Sequence, residues 1–78
     1  MTEAEAKTTI TENRHLLKDD NDEGIVYEIE GVERYFTGYA HLNEELILYF
    51  APTTEAMTRG NTEPISLEWT EFMKMIGE

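Results

Sequence analysis

The run Leu46-Ile47-Leu48-Tyr49-Phe50-Ala51 constrains this chain more than any other stretch. It is far shorter than the roughly 20 apolar residues that span a bilayer. Read as a strand over 45–51, it is apolar on both faces, with Leu46, Leu48 and Phe50 on one and Ile47, Tyr49 and Ala51 on the other. That pattern predicts a central strand covered on both sides. The rest of a 78-residue chain has to supply the neighbouring strands and the cover.

The neighbours are visible upstream. After Gly24 the pattern turns to period two: Ile25, Tyr27 and Ile29 alternate with Val26, Glu28 and Glu30, as in a strand. Glu30-Gly31 supplies a tight turn. A second strand over 32–41 places Phe36, Gly38 and Ala40 on one face and Tyr35, Thr37, Tyr39 and His41 on the other. His41-Leu42-Asn43-Glu44 turns the chain into the central strand. These three strands form an antiparallel meander, which needs a packing partner to be stable.

Helices are predicted at both ends. Residues 2–18 carry Ala6, Ile10, Asn13 and Leu17 on one face. Thr2 and Glu5 have the spacing of a capping box, and Arg14 and Lys18 suit the far end of the helix dipole. The β-branched run Thr8-Thr9-Ile10-Thr11 weakens this helix, and disorder over 1–8 is the alternative. Asp19-Asp20-Asn21-Asp22-Glu23-Gly24 ends it, with Gly24 read as a helix exit. Residues 52–64 form a long connection. At the C-terminus the chain reads as a short strand at 64–69, then a helix at 71–77 capped by Thr70. The expected fold is a small single α+β domain in the order α-β-β-β-β-α, a meander of three to four strands with helices over one face.

Charge bounds the partners. Seventeen Asp and Glu against six Lys and Arg leave a formal net charge of -11. Such a surface repels phosphate backbones and anionic lipid and attracts basic proteins. Direct nucleic-acid binding needs a basic patch, which six scattered cations do not make. No membrane segment is expected, and the acidic N-terminus has no secretory h-region, so a cytoplasmic protein is anticipated.

Catalytic chemistry has little footing. No cysteine is present, which removes thiol nucleophiles and Cys-ligated metal. Ser66, the single serine, lacks any elbow motif, and no phosphate-binding glycine motif occurs. His15 and His41 have no partner at metal-ligand spacing. Asp19 to Glu30 approximates a calcium loop, with Asp19, Asn21, Glu23, Gly24 and Glu30 in register. However, position five is Glu, position nine is Tyr27, and Gly31 stands where an exiting helix should begin. An acidic turn feeding a hairpin is the preferred reading. No cofactor and no metal are expected, and the chain is read as non-enzymatic.

What remains is binding. Eight acids fall between Glu12 and Glu33, and tyrosines point away from the Phe36 face. The candidate contact residues are Asp19, Asp20, Asp22, Glu23, Glu28, Glu30 and Glu33, with Tyr35 and Tyr39 as aromatic anchors. The expected function is that of an acidic inhibitor occupying a basic, nucleic-acid-binding surface of a partner protein. By size and charge alone, phage anti-defence proteins, anti-CRISPR proteins and nuclease immunity proteins form the same functional class. The alternative is an assembly or accessory subunit acting through homo- or hetero-oligomerisation, a homodimer included.

Overall fold

A computed structural model describes residues 1–77 of the chain. In order it forms α1 (Glu3–Glu12), α2 (Arg14–Leu17), β1 (Val26–Ile29), β2 (Val32–Leu42), β3 (Glu45–Pro52), α3 (Thr54–Thr58), β4 (Ile65–Glu68) and α4 (Trp69–Met75). The strands make one antiparallel sheet in the order β1-β2-β3-β4. The fold is α+β, and the meander extends to the fourth strand, which pairs with β3.

The N-terminal helix starts at Glu3. Thr2 and Glu5 form the reciprocal capping box: Thr2 N–H donates to Glu5 Oε1 at 3.0 Å and Glu5 N–H to Thr2 Oγ1 at 3.2 Å. The predicted single helix is broken at Asn13, whose backbone and side-chain nitrogens both donate to the Thr9 carbonyl. Side-chain competition of this kind is why Asn disfavours helix interiors. The predicted stripe survives the break, because Ala6 and Leu17 are buried and Ile10 and Asn13 half-buried.

Gly24 does not serve as a helix exit. A Cβ there would lie 2.0 Å from the Phe36 carbonyl oxygen, so the chain passes β2 at a distance only glycine allows. The turn before it is closed by Asp19, whose Oδ1 accepts from the amides of Asn21 and Glu23. Beyond it, Ile25 N–H donates to the Leu17 carbonyl, and the Tyr27 hydroxyl donates to that of Leu16. These bonds fasten β1 to α2.

Both hairpin turns have two residues in left-handed conformation: Glu30 (φ 55°) with Gly31 (φ 78°), and Asn43 (φ 50°) with Glu44 (φ 64°). Turns of this mirror-image type match the twist of the strands they join.

Thr37 reverses the expected facing of β2. Phe36 pairs with Phe50, but the next pair is Gly38 with Tyr49, so Thr37 is an extra residue bulged out of the ladder. Because side chains alternate, one inserted residue exchanges the faces beyond it. Tyr39 therefore pairs with Leu48 and lies on the helix-covered side, whereas Tyr35, opposite Ala51, lies on the other. The expectation that Tyr35 and Tyr39 share a face is overturned by this bulge, as is the grouping of Phe36 with Gly38 and Ala40.

The core lies on one side of the sheet. Leu46, Leu48 and Phe50 of β3, Phe36 of β2 and Ile29 of β1 are buried beneath Ala6, Leu17 and Phe72. Phe72 is the hub: it contacts Tyr27 edge-on (5.4 Å between ring centres), Phe50 in a stack (5.8 Å) and Trp69 (5.7 Å). To bring Trp69 and Phe72 together, α4 starts at Trp69 directly from β4. Glu68 occupies the cap position without a side-chain cap bond, and Thr70 lies inside the helix rather than capping it. The long connection also contains structure: Thr53 Oγ1 accepts from Ala56 N–H and starts α3.

β3 is central, as anticipated, but it is not covered on both sides. Ile47, Tyr49 and Ala51 point away from the core, and Tyr49 is exposed. Arg34 is drawn into the covered side, 7% exposed, with Nη1 donating to the Ile29 carbonyl. That withdraws one of six cations from the surface.

Candidate protein-binding face

The strand register defines the uncovered face. Val26 and Glu28 of β1 stand beside Tyr35 and Glu33 of β2, followed by Ala51 and Tyr49 of β3 and Ser66 of β4. Val26 (50% exposed), Tyr35 (37%) and Tyr49 (37%) make its apolar centre. An exposed aromatic centre inside a charged rim is the anatomy of protein interfaces.

One end of this face is a hollow built by two separate turns. Glu23 and Gly24 enter from the acidic turn, and Thr53, Thr54 and Glu55 from the start of α3. Two adjoining depressions of about 410 and 320 Å³ meet at Val26, with Tyr35 lining the first and Glu33 the second. Glu28 stands directly opposite Glu33 on the same face. Four carboxylates, Glu23, Glu28, Glu33 and Glu55, thus surround Val26 and Tyr35.

The one cation here is engaged: Arg59 Nη2 lies 2.6 Å from Glu33 Oε1. Arg14 and Lys18 hold Asp22, and Lys7 and Lys74 belong to helices that pack on the opposite side. Among the described residues, no three His, Cys, Asp or Glu side chains gather closely enough to hold a metal ion. The carboxylates are spread over a surface, an arrangement suited to several cations of a protein partner.

The other end of the face carries a carboxylate pair. Glu68 shares a hydrogen bond with Glu45, and that bond together with Glu45's charge raises its pKa above the ordinary glutamate value; Glu71 adds to the shift. Both lie on the uncovered side, with Glu68 opposite Ile47.

The sequence candidates therefore divide. Glu23, Glu28, Glu33 and Tyr35 come together. Asp19 is occupied in closing its own turn. Asp22 is bound by Arg14 and Lys18, which lower its pKa, the Arg14 hydrogen bond most. Asp20 sits exposed at the turn's tip, and Glu30 occupies the β1–β2 hairpin turn, at the far end of β1 from Asp19. That separation also breaks the calcium-loop register, since Asp19 and Glu30 do not converge. Tyr39 lies across the sheet, in a groove beside α1 and α2. Glu55 escaped the sequence reading because α3 is five residues long and has no apolar stripe; the signal was Thr53, an N-cap residue directly after Pro52.

No helix among the described residues is long and apolar enough to cross a membrane. No protein family, curated protein or solved structure matches this chain.

Proposed function

We propose that this chain is a non-catalytic protein-binding module that docks its uncovered sheet face onto a basic protein surface. The observation that carries the reading is the convergence of Glu23, Glu28, Glu33 and Glu55 around exposed Val26 and Tyr35. Tyrosines supply contact area at the centre, and carboxylates at the rim supply steering and register. The direct opposition of Glu28 and Glu33 opposes folding by itself, because like charges facing each other across strands are unfavourable. A partner's Arg or Lys relieves that repulsion on binding.

The finer reading is inhibition. Carboxylates held on a rigid sheet occupy sites where a partner's cations would meet phosphates, and so exclude nucleic acid from that surface. Capture from a lysate of the source cells with the tagged chain at low ionic strength tests this, followed by elution in a salt gradient. The expected result is a basic protein that elutes as salt rises and escapes capture by the Glu28→Lys/Glu33→Lys variant. Capture that survives molar salt, or that the double reversal leaves unchanged, contradicts the reading.

A further inference from the structure

A second surface carries the opposite charge. β2 runs for eleven residues, yet β1 pairs only with Val32–Tyr35. Gly24 shields the edge at Phe36, and beyond it no described backbone group bonds to the outward backbone groups of β2, although the His41 side chain meets the Met1 carbonyl at 2.8 Å. The two-residue turn at Asn43–Glu44 fixes which groups point outward. Leu42–Glu45 is a hydrogen-bonded pair, and so in alternation are Ala40–Ile47 and Gly38–Tyr49. Tyr39 and His41 therefore turn their N–H and C=O groups to the free edge. An edge of this kind is a template for another strand.

Beside it lies a groove of about 440 Å³, floored by Ile10, Leu17 and Phe36, ended by Tyr39 and rimmed by Arg14 and Lys18. Four other hollows on the described residues each carry at least one carboxylate; this one carries two cations and none. Asp22 binds both cations from outside the groove, so one carboxylate balances two positive charges.

We propose that the free edge of β2 accepts an extended acidic peptide as an added strand. Its backbone pairs with Tyr39 and His41, an apolar side chain fills the groove, and a carboxylate takes Arg14 and Lys18 in place of Asp22. A second copy of this chain is disfavoured, because two copies joined edge to edge bring their cationic rims to the same junction. The site is on the opposite side of the sheet from the acidic face and does not depend on that face's function.

The test uses two synthetic ten-residue peptides that alternate Val or Phe with either Glu or Lys, titrated into the isotopically labelled chain. Ionic strength is held near 0.15 M, where screening over about 8 Å lets local charges outweigh the net charge. The Glu peptide should bind about tenfold more tightly than the Lys peptide, since the pairing at the rim reverses sign. It should slow hydrogen exchange at the Tyr39 and His41 amides. Asp22→Asn frees the two cations at a left-handed position that Asn tolerates, and should tighten binding severalfold. Tyr39→Pro, which removes an outward donor without touching the β3 ladder, should abolish it. Equal or tighter binding of the Lys peptide at this edge overturns the proposal. So does unchanged exchange at Tyr39 and His41, or protection there from self-association without peptide. If Tyr39→Pro fails to fold, the exchange and Asp22→Asn results decide alone. Glu28→Lys/Glu33→Lys should leave peptide binding in place, which separates this site from the acidic face.

Discussion

Glu28 and Glu33 face each other across the β1–β2 ladder on the uncovered side of the sheet, and Arg59 reaches only Glu33. Opposed like charges cost stability, so an uncharged strand former at position 28 should raise it. Glu28→Thr is expected to stabilise the fold by about 0.2–1 kcal/mol. The gain should shrink as salt screens the repulsion. Melting temperatures at low and high salt measure it. The same substitution should weaken binding to a basic partner, the exchange of function for stability expected where a site holds unfavourable charge.

Gly24 and Gly38 make a matched pair. A Cβ at Gly24 meets the Phe36 carbonyl at 2.0 Å, whereas one at Gly38 meets nothing within 4 Å. Gly24→Ala should cost about 1–3 kcal/mol by forcing β1 and β2 apart. Gly38→Ala should be close to neutral. Chemical denaturation of both variants separates the close approach from a general cost of losing glycine.

Glu44 occupies the second position of its hairpin turn at φ 64°, where a side chain costs roughly 1–2 kcal/mol. Glu44→Gly would create Asn-Gly, the preferred pair for this turn, and should stabilise the fold by about 1 kcal/mol. The Glu44 carbonyl that accepts from the Met1 amino group is unaffected. Unchanged or reduced stability in denaturant would contradict the turn assignment.

The carboxylates set two opposed pH trends. Glu68 has a raised pKa in the fold, chiefly through Glu45. Its native state holds a proton over a range in which the unfolded chain has lost it, so its contribution to stability falls as pH rises through the folded value. Asp22 and Glu5 have lowered values, through Arg14 and Thr2 respectively. Their contributions are present above the ordinary carboxylate range and vanish as pH falls through their folded values. Glu68→Gln should therefore raise the melting temperature at neutral pH but not in acid. Asp22→Asn should lower it at neutral pH, with the difference closing in acid.

The sequence makes the sheet legible because period-two alternation marks the first strand, the apolar run at 46–51 marks the third, and Gly31 marks the turn between the first two. The capping box at Thr2 and Glu5 is equally local. What the sequence hides is any feature set by a single insertion or contact. Thr37 looks like an ordinary strand residue, and only pairing with β3 shows that it is extra and that Tyr39 changes sides. Gly24 reads as punctuation, although its reason lies twelve residues away at Phe36. The acidic site divides for the same cause. Its carboxylates cluster along the chain, yet Asp19 is held within its own turn and Asp22 by Arg14 and Lys18, while Glu55 arrives from a segment that reads as loop.

The proposed interface is the uncovered face and not the helical side. A photo-crosslinking residue placed at Tyr49 or at Met75, both exposed but on β3's open face and on α4 respectively, tests it most directly in the low-salt capture. A covalent adduct with a basic protein is expected from position 49 and none from 75, with loss of the adduct in the Glu28→Lys/Glu33→Lys variant. Crosslinking from position 75 alone, or an adduct at 49 that persists through the charge reversals, would contradict it.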